Sequence, residues 1–278
     1  EKNNRVFVSM PGVPHEMKYM MTHMVIPKLL EKFRTPAIHH TVIRTVGIGE
    51  SVLAEKIAAW ENALPAHIRL AYLPSLGEVK LRLTALGKDK EELLKESNIL
   101  VDNLKLIAGD YIYGVGEDSL QLVVGNALRQ RKLTLSAAES CTGGYVSHLI
   151  TSVPGSSDYF IGSVIAYAND VKIKELGVLP PTLADHGAVS EETVVAMAQA
   201  VRKKFGTSIG VATSGIAGPG GGTAGKPVGT VWIAYADERQ TVTRKLQLSK
   251  DRTINIHMSS VATLNLIRIH MPVSEHSK

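Results

Sequence analysis

Residues 138–144 read A-E-S-C-T-G-G and set three kinds of chemistry side by side: the Ser140 hydroxyl, the chain's single thiol at Cys141, and a Thr142, Gly143, Gly144 run. A serine nucleophile implies amide or ester hydrolysis, and a cysteine implies a thiol enzyme. A glycine-rich turn that opens a helix implies an anion site. The run L-T-L-S-A-A reads as a strand entering this stretch. Y-V-S-H-L-I reads as a helix leaving it, with Val146, Leu149 and Ile150 on one face. The stretch therefore sits where a strand ends and a helix begins, the place where α/β sheets gather ligands. A plain strand-to-helix turn, with Ser140 as its N-cap, is the competing reading.

A serine needs a base. The familiar serine/lysine spacing would put lysine three residues on, where this chain has Gly143. His148 lies on a surface-like helix face. Better placed are Tyr167, at the end of the strand S-V-I-A-Y, and Lys172 five residues later, with Lys174 as a competitor. A buried lysine loses its proton readily, and a tyrosine can relay one. An isolated tyrosine is nonetheless usually packing, and an isolated lysine usually surface.

Two more segments suit an anionic ligand. A-T-S-G-I-A-G-P-G-G-G supplies Thr213, Ser214, Gly215, Gly218 and Gly220 in a stretch too glycine-rich for a helix, able to wrap a ligand with backbone amides. It is not a nucleoside-triphosphate P-loop, because Gly225 and Lys226 are followed by Pro227. L-S-K-D-R-T-I-N-I ends a strand and starts a helix, where Arg252 can clamp a phosphate. Cys141 at a helix start would gain thiolate character, but its candidate histidine partner, His186 in L-A-D-H-G-A-V-S-E-E, lacks an obvious orienting carboxylate. Small buried packing suits Cys141 better.

These residues need a scaffold, and the chain's 278 residues leave room for two domains. Residues 1–35 read as a strand R-V-F-V-S-M, a turn, and a helix whose Met17, Met20, Met21 and Met24 suit core packing. Residues 36–112 follow the order β-α-β-β-α-β of a split βαβ unit. Residues 113–278 alternate strands and helices, with helices near 142–152, 170–176, 190–205 and 251–270, which argues a three-layer α/β/α domain on a mixed sheet. The fold class expected is thus α/β, with a small α/β domain ahead of the larger one.

Composition narrows the function. A single cysteine excludes an internal disulfide and any cysteine-based zinc cluster, which suits a cytoplasmic protein. Neither a membrane-length apolar run nor a signal-type start is present. A net charge of +5 comes from dispersed basic residues, so nucleic acid is not the expected partner and a phosphorylated small molecule explains as much.

Five segments, A-E-S-C-T-G-G, V-P-G-S-S-D-Y-F-I-G-S-V-I-A-Y-A-N-D-V-K-I-K-E-L-G-V, H-G-A-V-S-E-E-T-V, T-S-G-I-A-G-P-G-G-G and K-P-V-G-T-V-W-I-A-Y, resemble the C-terminal domain of the competence/damage-inducible CinA family in order and spacing. That domain is a nicotinamide mononucleotide deamidase module, and the likeness covers about residues 113–272. The stretch V-F-V-S-M-P-G-V-P-H-E-M-K-Y-M-M is similar to the tail of the family's molybdopterin-cofactor-binding-like domain, and residues 36–112 to its KH-type middle domain. The body of that first domain is absent, so its pyrophosphatase activity is not assigned.

The resemblance implies hydrolysis of nicotinamide mononucleotide to nicotinate mononucleotide and ammonia, with Ser140 as nucleophile and Tyr167 and Lys172 as its activating partners. On this reading the amides of Cys141, Thr142 and Gly143 hold the oxyanion. The 5′-phosphate lies against residues 213–222 and Arg252, and neither cofactor nor metal takes part. A homodimer is the family expectation. The rival reading is a nucleotide-binding or regulatory protein that keeps the pocket without turnover.

Overall fold

The structure is a computed structural model describing residues 5–33 and 36–272. Near its start, α1 (Pro14–Met20), a π-helical turn (Met21–Val25) and α2 (Ile26–Lys32) form one helical run. Pro27 cannot donate to the carbonyl four residues back, and the wider turn ahead of it eases the clash of its ring. Of the expected strand R-V-F-V-S-M, only a single bridge at Arg5 forms. Residues 6–13 join no sheet, and Val6, Phe7 and Val8 are exposed. Apolar composition favours a strand only where a neighbour takes up its backbone groups. The four methionines do not reach a core either: Met17, Met20 and Met21 are half-buried and Met24 is exposed.

The small domain has the element order expected: β1 (Ala37–Val46), α3 (Glu50–Asn62), β2 (Ile68–Ser75), β3 (Glu78–Gly87), α4 (Lys90–Ala108) and β4 (Ile112–Val115). Its sheet runs β2-β3-β1-β4 with every pairing antiparallel. Val79, Leu81, Leu83 and Ala85 alternate inward along β3, meeting Leu53 and Ile57 of α3 and Leu104 of α4 in one core. Asp89 caps α4 by accepting from the amides of Glu91 and Glu92.

The larger domain comprises α5 (Leu120–Gln130), β5 (Leu135–Glu139), α6 (Tyr145–Thr151), β6 (Phe160–Ile165), α7 (Asn169–Leu176), α8 (Pro180–Asp185), α9 (Glu191–Phe205), β7 (Ile209–Gly215), β8 (Thr230–Ala236), β9 (Thr241–Gln247) and α10 (Arg252–His270). The sheet order is β6-β5-β7-β8-β9. Its first three strands are parallel and the rest antiparallel, so the sheet is mixed as expected. Helices α6 and α10 cover one face, α9 lies on the other, and α7 and α8 pack on α9. Short α8, opened by Pro180 and Pro181, is missing from the sequence reading because six residues carry too little periodicity.

Central β5 is buried at every position, as a strand covered on both faces must be. Ser136 is accommodated there by a 2.7 Å hydrogen bond with the Thr207 hydroxyl. The parallel register aligns the carboxyl ends of three strands, pairing Glu139 with Ile165 on one side and Thr213 on the other. This alignment delivers the site residues to one place.

Helix α9 approaches β7 so closely at Gly210 that a methyl group there would meet the Ala198 carbonyl and the backbone of Arg202. Neither obstacle can swing aside. Gly210→Ala should therefore destabilise the fold by about 1–3 kcal/mol, read as a lowered midpoint in denaturant unfolding with an unchanged slope.

Candidate active site

Ser140 is the first residue beyond β5. Its amide donates to the Thr213 carbonyl at 3.0 Å, while the carbonyl of Glu139 accepts from the Ala166 amide at 2.8 Å. The serine is thereby wedged between the ends of β7 and β6. From the helix after β6 comes Lys172, which is 1% exposed. Its Nζ lies 3.0 Å from Ser140 Oγ, 2.7 Å from the Ala166 carbonyl and 3.3 Å from the Tyr167 carbonyl. Burial pushes the Lys172 amine below its ordinary value, with the neighbouring Cys141 working weakly in the other direction.

Three polar neighbours are the number an amine can use in either protonation state. As an ammonium, Nζ donates to all three. As a neutral amine it donates to the two carbonyls and turns its lone pair to the Ser140 hydroxyl proton. The geometry thus suits a base that takes the serine proton directly.

Tyr167 does not stand between them. The residue is 59% exposed, and its hydroxyl accepts from Arg252 Nη2 at 2.8 Å, so only its backbone carbonyl reaches Lys172. The phenol and the amine diverge because Tyr167 sits in the three-residue link between β6 and α7, where its carbonyl turns inward. Lys174, the competing lysine, does not line the cleft.

The turn after Ser140 is organised by a residue the sequence reading passed over. Glu139 is fully buried. Its Oε2 accepts from Thr142 Oγ1 (2.7 Å), Gly144 N (3.0 Å) and Val146 N (3.0 Å), and its Oε1 from Ser147 N (2.8 Å) and Ser147 Oγ (2.6 Å). The amides that open α6 are therefore occupied by the protein's own carboxylate rather than held for a ligand. The Gly143 amide is also engaged, donating to the Ser140 carbonyl at 3.1 Å, which removes it as the expected oxyanion donor. Among the described residues, the amides of Cys141 and Thr142 have no backbone carbonyl partner.

Facing the serine is a cleft of about 180 Å³, lined on this side by Ser140, Cys141 and Lys172 and opposite by Ser214, Gly215 and Arg252. Ser214 lines it with its hydroxyl already donated to the Ala188 carbonyl at 2.6 Å. Thr213 points away, buried against the Thr142 hydroxyl at 2.7 Å. Gly218 contributes a carbonyl to Arg252 Nη1 at 2.9 Å, and Gly220 is exposed outside the lining. Asn255 fixes this loop, its Nδ2 donating to the carbonyls of Ala217 and Ser249 at 2.9 Å each. Asn169 and Val189 also line the cleft and were not singled out from sequence. No residue pattern marks Asn255 or Val189. A carboxylate inside an otherwise apolar strand was a legible signal for Glu139.

Among the described residues no group of three or more histidine, cysteine, aspartate or glutamate side chains is placed to hold a metal, and no helix is long and apolar enough to cross a membrane.

The larger domain thus defines an α/β protein with a serine–lysine pair at the ends of parallel strands. Residues 117–271 match the model of the CinA C-terminal domain, and residues 40–114 match that of the damage-inducible protein CinA KH domain. The chain belongs to the CinA family. A CinA-like protein of Cytophaga hutchinsonii is 54% identical over 266 residues, covering 96% of this chain and 64% of that protein. Another from Amoebophilus asiaticus is 48% identical over 271 residues with the same coverage. The chain thus spans just under two thirds of these curated relatives. The crystal structure of competence/damage inducible protein CihA from Agrobacterium tumefaciens is 34% identical and covers 54% of this chain and 92% of its own, with a TM-score of 0.52. A competence damage-inducible protein A from Klebsiella pneumoniae is 33% identical, covers 55% and 97%, and has a TM-score of 0.52.

Cys141 differs sharply from its neighbour. Burial pushes its thiol up to about 12, with its own amide pulling down and the Glu139 carboxylate adding to the rise. Contrary to expectation His186 has a carboxylate partner, its Nδ1 lying 3.3 Å from Glu192, but it lies outside the cleft lining and so offers Cys141 no base. Native protein at neutral pH should resist iodoacetamide at Cys141 and become alkylated after unfolding in guanidinium, as read by intact mass. Rapid alkylation of the native protein would mean a thiolate is present and would reopen the cysteine reading.

Proposed function

We propose that this protein is an amidohydrolase that deamidates nicotinamide mononucleotide to nicotinate mononucleotide and ammonia, with Ser140 as nucleophile and Lys172 as base. The observation that carries this reading is the 3.0 Å contact between a buried, easily deprotonated amine and the serine hydroxyl. Membership of the CinA family supports the substrate.

Neutral Lys172 takes the proton as Ser140 Oγ attacks the carboxamide carbon. The amide of Cys141, next in the chain, and that of Thr142 offer N–H groups for the oxyanion. Lys172 then returns its proton to the departing nitrogen, ammonia leaves, and water resolves the acyl-enzyme with Lys172 again as base. No step needs Tyr167 to carry a proton; its phenol instead steadies Arg252. Drug-sized ligands fill pockets of about 300–1,000 Å³. A cleft of about 180 Å³ encloses only the reacting end of a mononucleotide and leaves the ribose phosphate at the mouth. Arg252 uses two of its donors on Gly218 and Tyr167, so others remain for that phosphate.

Ammonia release from a panel of pyridine nucleotides tests this reading. Ser140→Ala should be inactive, Lys172→Met should lose about 10²–10⁴-fold in kcat, and Cys141→Ala should stay active. Arg252→Ala should mainly raise KM. Full activity in Ser140→Ala would overturn the mechanism, and calorimetric binding of the mononucleotide without ammonia would point to a non-catalytic nucleotide-binding protein.

The pH dependence has a definite sign. Because only neutral Lys172 is a base, kcat/KM should rise with pH through an apparent pKa lying below that of an ordinary lysine. The same residue should make stability rise with pH between its lowered folded value and its ordinary unfolded value, since only the unfolded chain holds that proton there. A rate independent of pH across that window would remove Lys172 from the role.

A further inference from the structure

We infer that Glu139 is a positioning residue for the reaction: its buried carboxylate, by gathering the amides and hydroxyls of residues 142–147, fixes the direction in which Ser140 leaves β5. The inference rests on the serine reading above. Glu139 has no atom within hydrogen-bond distance of Ser140 Oγ or Lys172 Nζ and does not line the cleft, so its effect must pass through the backbone.

Each carboxylate oxygen has a separate task. Oε2 closes the turn by accepting from Thr142 Oγ1, Gly144 N and Val146 N, and Oε1 anchors the start of α6 through Ser147 N and Oγ. Thr142 Oγ1 spends its one proton on Glu139. In its 2.7 Å contact with Thr213 it must therefore accept, so a chain Thr213 to Thr142 to Glu139 ties the turn to the end of β7. At the other end, the Ser140 amide is bound to the Thr213 carbonyl. Residues 140 and 142 are both referred to Thr213, and the serine between these anchors has little freedom to rotate away from Lys172.

A carboxylate is required because every group pointing at it is a donor. Glutamine is nearly isosteric but presents N–H₂ on one side, which would face either the Ser147 amide and hydroxyl or the three donors on the other oxygen. One end of the turn must then release. A displacement of about 1 Å at a nucleophile can cost about 10²-fold in rate.

The test compares wild type, Glu139→Gln and the isosteric Thr142→Val by two readouts. One is kcat and KM for deamidation. The other is the rate at which a small alkyl fluorophosphonate labels Ser140, a step in which Oγ bonds to phosphorus, fluoride leaves and the proton passes to Lys172. Glu139→Gln should lower both kcat and the labelling rate by about 10- to 100-fold with KM changed little. Thr142→Val, which removes one donor, should lower them by about 3- to 10-fold. A purely structural role would lower the melting temperature while leaving labelling per folded molecule at the wild-type rate, and that result overturns the inference. Should Glu139→Gln fail to fold, Thr142→Val decides by the same criterion. Wild-type protein that labels at Ser140 but releases no ammonia would remove the deamidase substrate and leave positioning to be decided by labelling alone. Absence of wild-type labelling would overturn the serine reading and this inference with it.

Discussion

Burying an amine is the constraint around which the larger domain is arranged. A lysine ammonium taken from water into a protein interior costs several kcal/mol unless its donors are met. Lys172 meets that cost with the carbonyls of Ala166 and Tyr167, both left without strand partners because β6 ends at Ile165. Had β6 continued, the Ala166 carbonyl, on the same edge as the amide that donates to Glu139, would have been drawn toward β5. The early end of one strand therefore creates the polar cradle, and the third partner of the amine is the hydroxyl it is poised to deprotonate.

The sheet explains why these groups meet. Parallel strands bring like ends together, and here the carboxyl ends of β6, β5 and β7 supply the lysine cradle, the serine and the opposite wall in that spatial order. The antiparallel strands β8 and β9 extend the sheet away from the site. The long α10 returns beneath it, bringing Arg252 and Asn255 back to the glycine-rich loop. Buried Asn255 holds the Ala217 carbonyl and Arg252 the Gly218 carbonyl, so the glycine-rich segment has fixed anchors.

Much of this was legible in the chain. Alternation of strands and helices gave the mixed α/β sheet, and a serine at a strand-to-helix junction with a lysine after the next strand gave the two reacting groups. Elements without internal periodicity or without a partner in the same segment were not legible. Six-residue α8 is too short to show a helical face, and R-V-F-V-S-M has strand composition, but among the described residues only a bridge at Arg5 forms there. Side-chain direction was the other limit. Tyr167 and Lys172 are five residues apart and were expected to face the same serine, but Tyr167 lies in the link after β6 and Lys172 on α7, so the tyrosine turns its carbonyl to Lys172 and its phenol to Arg252 in the cleft lining. Thr213 likewise turns from the expected ligand to the back of the turn, because successive residues of a strand point to opposite faces.

Ser140 and Cys141 share a turn, and intrinsic acidity would favour the thiol by several units. The environment reverses that order. Cys141 is buried with no base aimed at it and with the Glu139 carboxylate close enough to oppose a second negative charge. Ser140 is barely exposed too, but its hydroxyl faces the one amine that burial has made ready to accept a proton. A nucleophile that never ionises in isolation needs only a partner in line with its O–H bond, whereas a thiolate needs a site that tolerates standing charge. The turn, already built around the Glu139 carboxylate, disfavours a second negative charge and aligns the partner, so its geometry selects oxygen over sulfur.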